Sequence, residues 1–131
     1  MPDRLTPSRL ELQLEADIVA ASTALEADCK RAELAAYQAR LGRFDEVRST
    51  LSALHQRYES RPNVQISSWL NLVEGLVGHF TDMDPAARDK VLRAHALSTA
   101  AGLTRMRALS AAWLDHRAGC GARDGWSLTL L

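Results

Sequence analysis

The chain has 131 residues, 16 basic and 16 acidic side chains, zero formal net charge, and 47% hydrophobic residues. That size fits one compact domain, and the balance excludes a strongly basic nucleic-acid binder and an acidic disordered tail as whole-chain readings. Alanine and leucine supply 21 and 20 residues against 5% aromatics, a mixture that favours helix and argues against a β-sandwich or barrel.

The first ten residues carry Asp3, Arg4 and Arg9 and no long apolar run, so no secretory signal is expected. No window approaches the roughly 18 to 20 apolar residues of a membrane span. The longest apolar stretch, residues 69–80, is interrupted by Asn71, Glu74 and His79. Cys29 and Cys120 lie far apart without a Cys-x-x-Cys pattern. Neither a disulfide framework nor a zinc site is expected, and a reducing cytoplasmic location is. Charge is uneven along the chain: residues 1–84 hold 9 basic and 13 acidic side chains, residues 85–131 hold 7 and 3. This fits ordinary solvated helix faces or a dipolar module that associates head to tail.

In chain order, Thr6-Pro7 is a helix-start signal, a hydroxyl cap before a first-turn proline. Residues 8–41 contain no Gly or Pro and form one long helix, or two with a break around residues 25–30. Leu10, Leu14, Ile18, Ala21 and Leu25 make one apolar stripe, which Leu34 and Leu41 continue less regularly. Gly42 closes this segment. Residues 44–58 form the next helix, with Val47, Leu51, Leu54 and Tyr58 inward.

Asn63 then caps a helix to about Phe80 whose apolar residues cover more than half its circumference. Gly75 and Gly78 within it cost about 1 kcal/mol each relative to Ala, which close approach of a neighbouring helix would offset. Asp84-Pro85 starts a further helix to about Ala101, with Ala87, Val91, Ala94 and Leu97 or Ser98 inward and Gly102 at its end. Residues 103–117 form the last helix, with Leu103, Met106, Leu109 or Ser110, and Trp113 inward. The organisation expected is an all-α domain over residues 1–118 and an irregular tail over 119–131.

Leu41-Gly42-Arg43-Phe44-Asp45-Glu46-Val47, followed by Leu51 and Leu54, resembles the turn and second helix of a tetratricopeptide repeat. Val47 and Leu54 replace the usual alanines. About forty residues on, Asp82-Met83-Asp84-Pro85-Ala86-Ala87, then Val91 and Ala94, repeats the order with Asp82 in place of the glycine. The resemblance spans roughly residues 33–113. It implies antiparallel helix pairs stacked as a short right-handed solenoid of about five helices. Similar degenerate repeats occur in the N-terminal regulatory regions of bacterial signalling proteins such as diguanylate cyclases. The catalytic Gly-Gly-Asp/Glu-Glu-Phe motif of those enzymes is absent from this sequence.

His55, His79, His95 and His116 form no metal-binding spacing. His55 and Glu59 are four apart and suited to a surface pair, and Asp115-His116 suits a helix C-terminus. His79, Asp82 and Asp84 form the densest polar cluster, a helix end with a capping Asp or a small metal or acid/base site. Cys29, flanked by Asp28, Lys30 and Arg31, has no histidine nearby in sequence to make it catalytic. The glycine-rich run 119–125 lacks the strand before it and helix after it that a phosphate cradle requires. No catalytic residue, cofactor or metal is therefore assigned, and the chain reads as non-enzymatic.

Trp69, Leu72, Leu76, His79 and Phe80 share one helix face and read either as core or as a partner-binding groove. Arg88, Arg93, Arg105 and Arg107 would rim that groove. Leu103, Met106, Trp113 and Trp126 would lie near a self-association contact, because a repeat array without a polar cap leaves an open side. The function expected is a protein–protein interaction module that binds a protein or peptide, as a homodimer, with no membrane or nucleic-acid partner. The alternatives are the regulatory region of a bacterial signalling protein acting through dimerisation, and a small metal-binding or enzymatic helical protein using His79, Asp82 and Asp84.

Overall fold

The computed structural model describes residues 8–81 and 86–118, the side chains of 115–118 excepted. Among these residues six helices run in chain order: α1 Arg9–Ala20, α2 Ala24–Arg40, α3 Phe44–Tyr58, α4 Val64–Thr81, α5 Ala86–Ala101 and α6 Thr104–Ala118. The fold is all-helical among the described residues. The sequence-level expectation of about five helices left residues 8–41 open, and the sixth comes from their division into α1 and α2.

That division falls at residues 21–23, upstream of the expected break. Thr23 accepts from the Glu26 N–H at 3.1 Å and caps α2, while Ala21 is extended. Ser8 caps α1 through a reciprocal pair: its hydroxyl accepts from the Glu11 N–H at 3.1 Å, and its own N–H donates to Glu11 Oε1 at 3.0 Å. Thr6-Pro7 and Asp84-Pro85 lie outside the described residues.

The two expected glycine stops are present. Gly42 and Gly102 sit at φ +84° and +72°, which glycine alone enters without a Cβ penalty. After each, the chain folds back onto the helix it leaves: Arg43 N–H donates to Gln38 C=O at 3.0 Å, and Leu103 N–H to Ser98 C=O at 2.8 Å. Asn63 caps α4 as expected, its Oδ1 accepting from the Gln65 and Ile66 N–H groups at 2.9 and 3.2 Å.

Neighbouring helices pair as antiparallel hairpins, which Asp28–Arg57 (α2, α3), Glu74–Lys90 (α4, α5) and His95–Ser110 (α5, α6) mark. α2 lies beside α4, and α4 touches α2, α3, α5 and α6. Its position explains its composition. A helix enclosed on several sides buries Ile66, Trp69, Leu70, Leu72, Val73 and Leu76 together. α2 enters this core through Ala32, Ala35, Ala36 and Ala39 rather than through Leu34, which is half-buried, or Leu41, which is 40% exposed. α5 contributes Ala87, Val91, Ala94 and Ser98, and α6 contributes Met106, Leu109, Ser110 and Trp113.

At Gly75 α5 packs closely against α4. A Cβ there would stand 2.7 Å from Val91 Cγ2 and 3.0 Å from the Ala87 carbonyl oxygen. Packing at that distance offsets the helix-propensity cost of the glycine.

Candidate functional site

The expected groove residues lie at different depths. Leu72 and Leu76 are 0% and 1% exposed, and Trp69 is 8% exposed, so all three belong to the core of this chain. His79 is half-buried and Phe80 is 37% exposed. Both pack edge-on near Trp113, with ring centroids 5.8 and 5.6 Å from the indole. Of the residues expected near a self-association contact, Met106 and Trp113 are buried and Leu103 is half-buried. Trp126 lies outside the described residues, as do Asp82 and Asp84. The rim arginines Arg88, Arg93, Arg105 and Arg107 are exposed. Arg105 is nonetheless engaged, its Nη2 lying 2.6 Å from Oε2 of the buried Glu33 on α2.

Glu33 is one of four carboxylates, each tied to a cation from another part of the fold. Glu11 uses one oxygen for its capping box and the other for Arg43 Nη1, at 2.5 Å. Asp28 on α2 accepts from Arg31 at 2.7 Å and from Arg57 on Oδ1, and from the Tyr58 hydroxyl on Oδ2 at 2.7 Å. Burial pushes the Asp28 carboxyl up, but hydrogen bonds from Arg57, Tyr58 and Arg31 outweigh it and hold it below the ordinary carboxylate range. Burial and the bond to Asp28 push the Tyr58 phenol up to about 12.

Glu74 on α4 links three helices. It meets His55 Nε2 of α3 at 2.5 Å and Lys90 Nζ of α5 at 2.9 Å. His55 therefore pairs across helices with Glu74 and not with Glu59, the partner expected from spacing on its own helix. Burial raises the Glu74 carboxyl, and the hydrogen bonds from Lys90 and His55 lower it further than burial raises it.

A cleft of about 400 Å³ opens between α3 and α4. Tyr58, Pro62, Ile66 and Leu70 form its apolar wall, and His55 and Glu74 its polar end. The Asn71 amide within it already donates to the Ser67 carbonyl at 2.8 Å. Among the described residues, no three or more His, Cys, Asp or Glu side chains group to hold a metal ion. The Cys29 thiol is pushed up by burial and by Asp28, away from the thiolate a nucleophile requires.

The outermost described helix is α1, which touches α2 and no other helix among the described residues. Leu14 and Glu11 are buried beneath it, and Leu10 and Ile18 are half-buried. Its far face carries Leu12 at 53% exposure and Val19 at 87%, with exposed Ala16 between them. The self-association contact expected from the sequence, around Leu103, Met106, Trp113 and Trp126, lies toward the other end of the chain. In the sequence the exposed face of α1 is signalled by Leu12 and Val19, seven apart and off the stripe of Leu10, Leu14 and Ile18. No family model, curated protein or solved structure matches the chain. No described helix is long and apolar enough to cross a membrane.

Proposed function

We propose that the protein is a non-enzymatic protein–protein interaction module that self-associates through the outer face of α1. The observation that carries this reading is the exposed stripe of Leu12, Ala16 and Val19 on a helix that, among the described residues, packs against α2 alone. Large exposed apolar side chains aligned on one face favour association, and burying one contributes about 1.5 to 3 kcal/mol. A two-fold pairing of antiparallel α1 helices sets Leu12 of one copy opposite Val19 of the other and puts the small Ala16 near the axis. The stripe is thus complementary to itself.

The finer architecture belongs to the same proposal: α2–α3 and α4–α5 are two degenerate tetratricopeptide-like units, α6 begins a third, and α1 precedes the first. The antiparallel hairpins, the side-by-side placement of α2 and α4, and the Gly42 turn support it. The pairing of buried and half-buried carboxylates with cations from other parts of the fold supports a scaffold role, since these pairs join separate segments of the chain.

Hydrogen–deuterium exchange at high and low protein concentration tests the reading. The expected result is slower exchange across residues 9–20 at high concentration, reversed on dilution and absent in Val19→Glu. Exchange in α1 that is independent of concentration contradicts it.

A further inference from the structure

Asp28 is 0% exposed, and two guanidinium groups meet this single carboxylate. One guanidinium neutralises a buried carboxylate, so the second leaves the cluster with one excess positive charge. Arg31 and Arg57 both place Nη1 on the same oxygen, Oδ1. Two ordinary hydrogen-bond lengths then limit the separation of those nitrogens to about 6 Å. The Arg31 and Arg57 side chains remain 44% and 49% exposed. Each guanidinium has five N–H donors, so each keeps donors beyond the Nη1 bond it gives to Asp28. Asp28 is the carboxylate whose charge acts on Arg57. Tyr58 occupies Oδ2 as a neutral donor and fixes the carboxylate from its other side.

The geometry points to a phosphate-binding site at Arg31 and Arg57, in which Asp28 is the positioning carboxylate. A planar carboxylate ligand is satisfied by one fork, whereas a tetrahedral dianion offers oxygens to two forks carried by different helices. Arginines already held by a buried carboxylate lose less side-chain freedom on binding than free surface arginines do. The ligand is a phosphate monoester or inorganic phosphate, and the site stands independently of the α1 face.

The test follows the Arg31 and Arg57 Nε–Hε resonances during titration with sodium phosphate, with sodium chloride of equal ionic strength as the control. Saturable shifts of both resonances with phosphate and not with chloride are expected. Arg31→Gln leaves Arg57 and Tyr58 on Asp28, so it should fold as the parent does and bind phosphate at least tenfold more weakly. Arg31→Lys keeps the charge but loses the fork, and should fall between the two. A parallel titration with O-phosphoserine separates the sources: tenfold tighter binding than phosphate assigns the site to a phosphorylated side chain, and equal binding to free phosphate. Shifts matched by chloride, or Arg31→Gln binding within twofold of the parent, overturn the proposal.

Discussion

Gly75 and Val91 are in such close contact that a methyl group on Gly75 would stand 2.7 Å from Val91 Cγ2. The Ala87 carbonyl at 3.0 Å is backbone and cannot rotate aside. Gly75→Ala gains about 1 kcal/mol of helix propensity, against an overpacking cost of about 1 to 3 kcal/mol. The expected outcome is a net loss of stability in urea unfolding, larger for Gly75→Val. Val91→Ala in the Gly75→Ala background should recover part of the loss.

The depressed Asp28 and Glu74 carboxyls make stability depend on pH. A carboxyl held lower in the folded chain than in the unfolded one contributes stability that is fully present above the unfolded value, about 4, and is lost as pH falls through the folded one. The urea midpoint should therefore be level near neutrality and fall on acidification below about pH 4. Asp28→Asn removes charge-assisted hydrogen bonds and should cost about 2 kcal/mol at pH 7. It should also flatten the acid limb. An acid limb identical to the parent's would contradict the assignment of Asp28.

Leu76 on α4 is 1% exposed. Leu76→Ala should lose about 2 to 5 kcal/mol, the range for cavities in packed cores. Phe80→Ala, at 37% exposure, should lose less. The comparison of the two by chemical denaturation reports how far the face of α4 changes from interior to surface along its length.

Much of the helical layout was legible because local chemistry sets it. Gly42, Gly102 and Asn63 mark helix ends through backbone conformation and capping, and the inward residues of α5 follow the 3.6-residue period. The break between α1 and α2 contains neither Gly nor Pro, so only the Thr23 cap marks it, and hydroxyl residues occur throughout helices as well. The alanine face of α2 was hidden because alanine carries too little apolar weight to define a stripe, although its small size admits α4 closely.

The candidate site was less legible than the fold. Asp28, Glu33 and Glu74 look like solvated charges in the sequence, because their partners Arg57, Arg105 and Lys90 lie 16 or more positions away and only the tertiary fold joins them. The face of α4 that includes Trp69, Leu72 and Leu76 has the same spacing whether it packs inside the chain or lines a groove. Its burial depends on α2, α5 and α6 covering it.

The most direct measurement of the central claim is sedimentation equilibrium of the parent chain and of the double variant Leu12→Glu, Val19→Glu over a wide concentration range. The account predicts a reversible monomer–dimer equilibrium for the parent and a monomer with unchanged helical content for the variant. A parent chain that stays monomeric at every concentration, or a variant that dimerises as strongly as the parent, would contradict it.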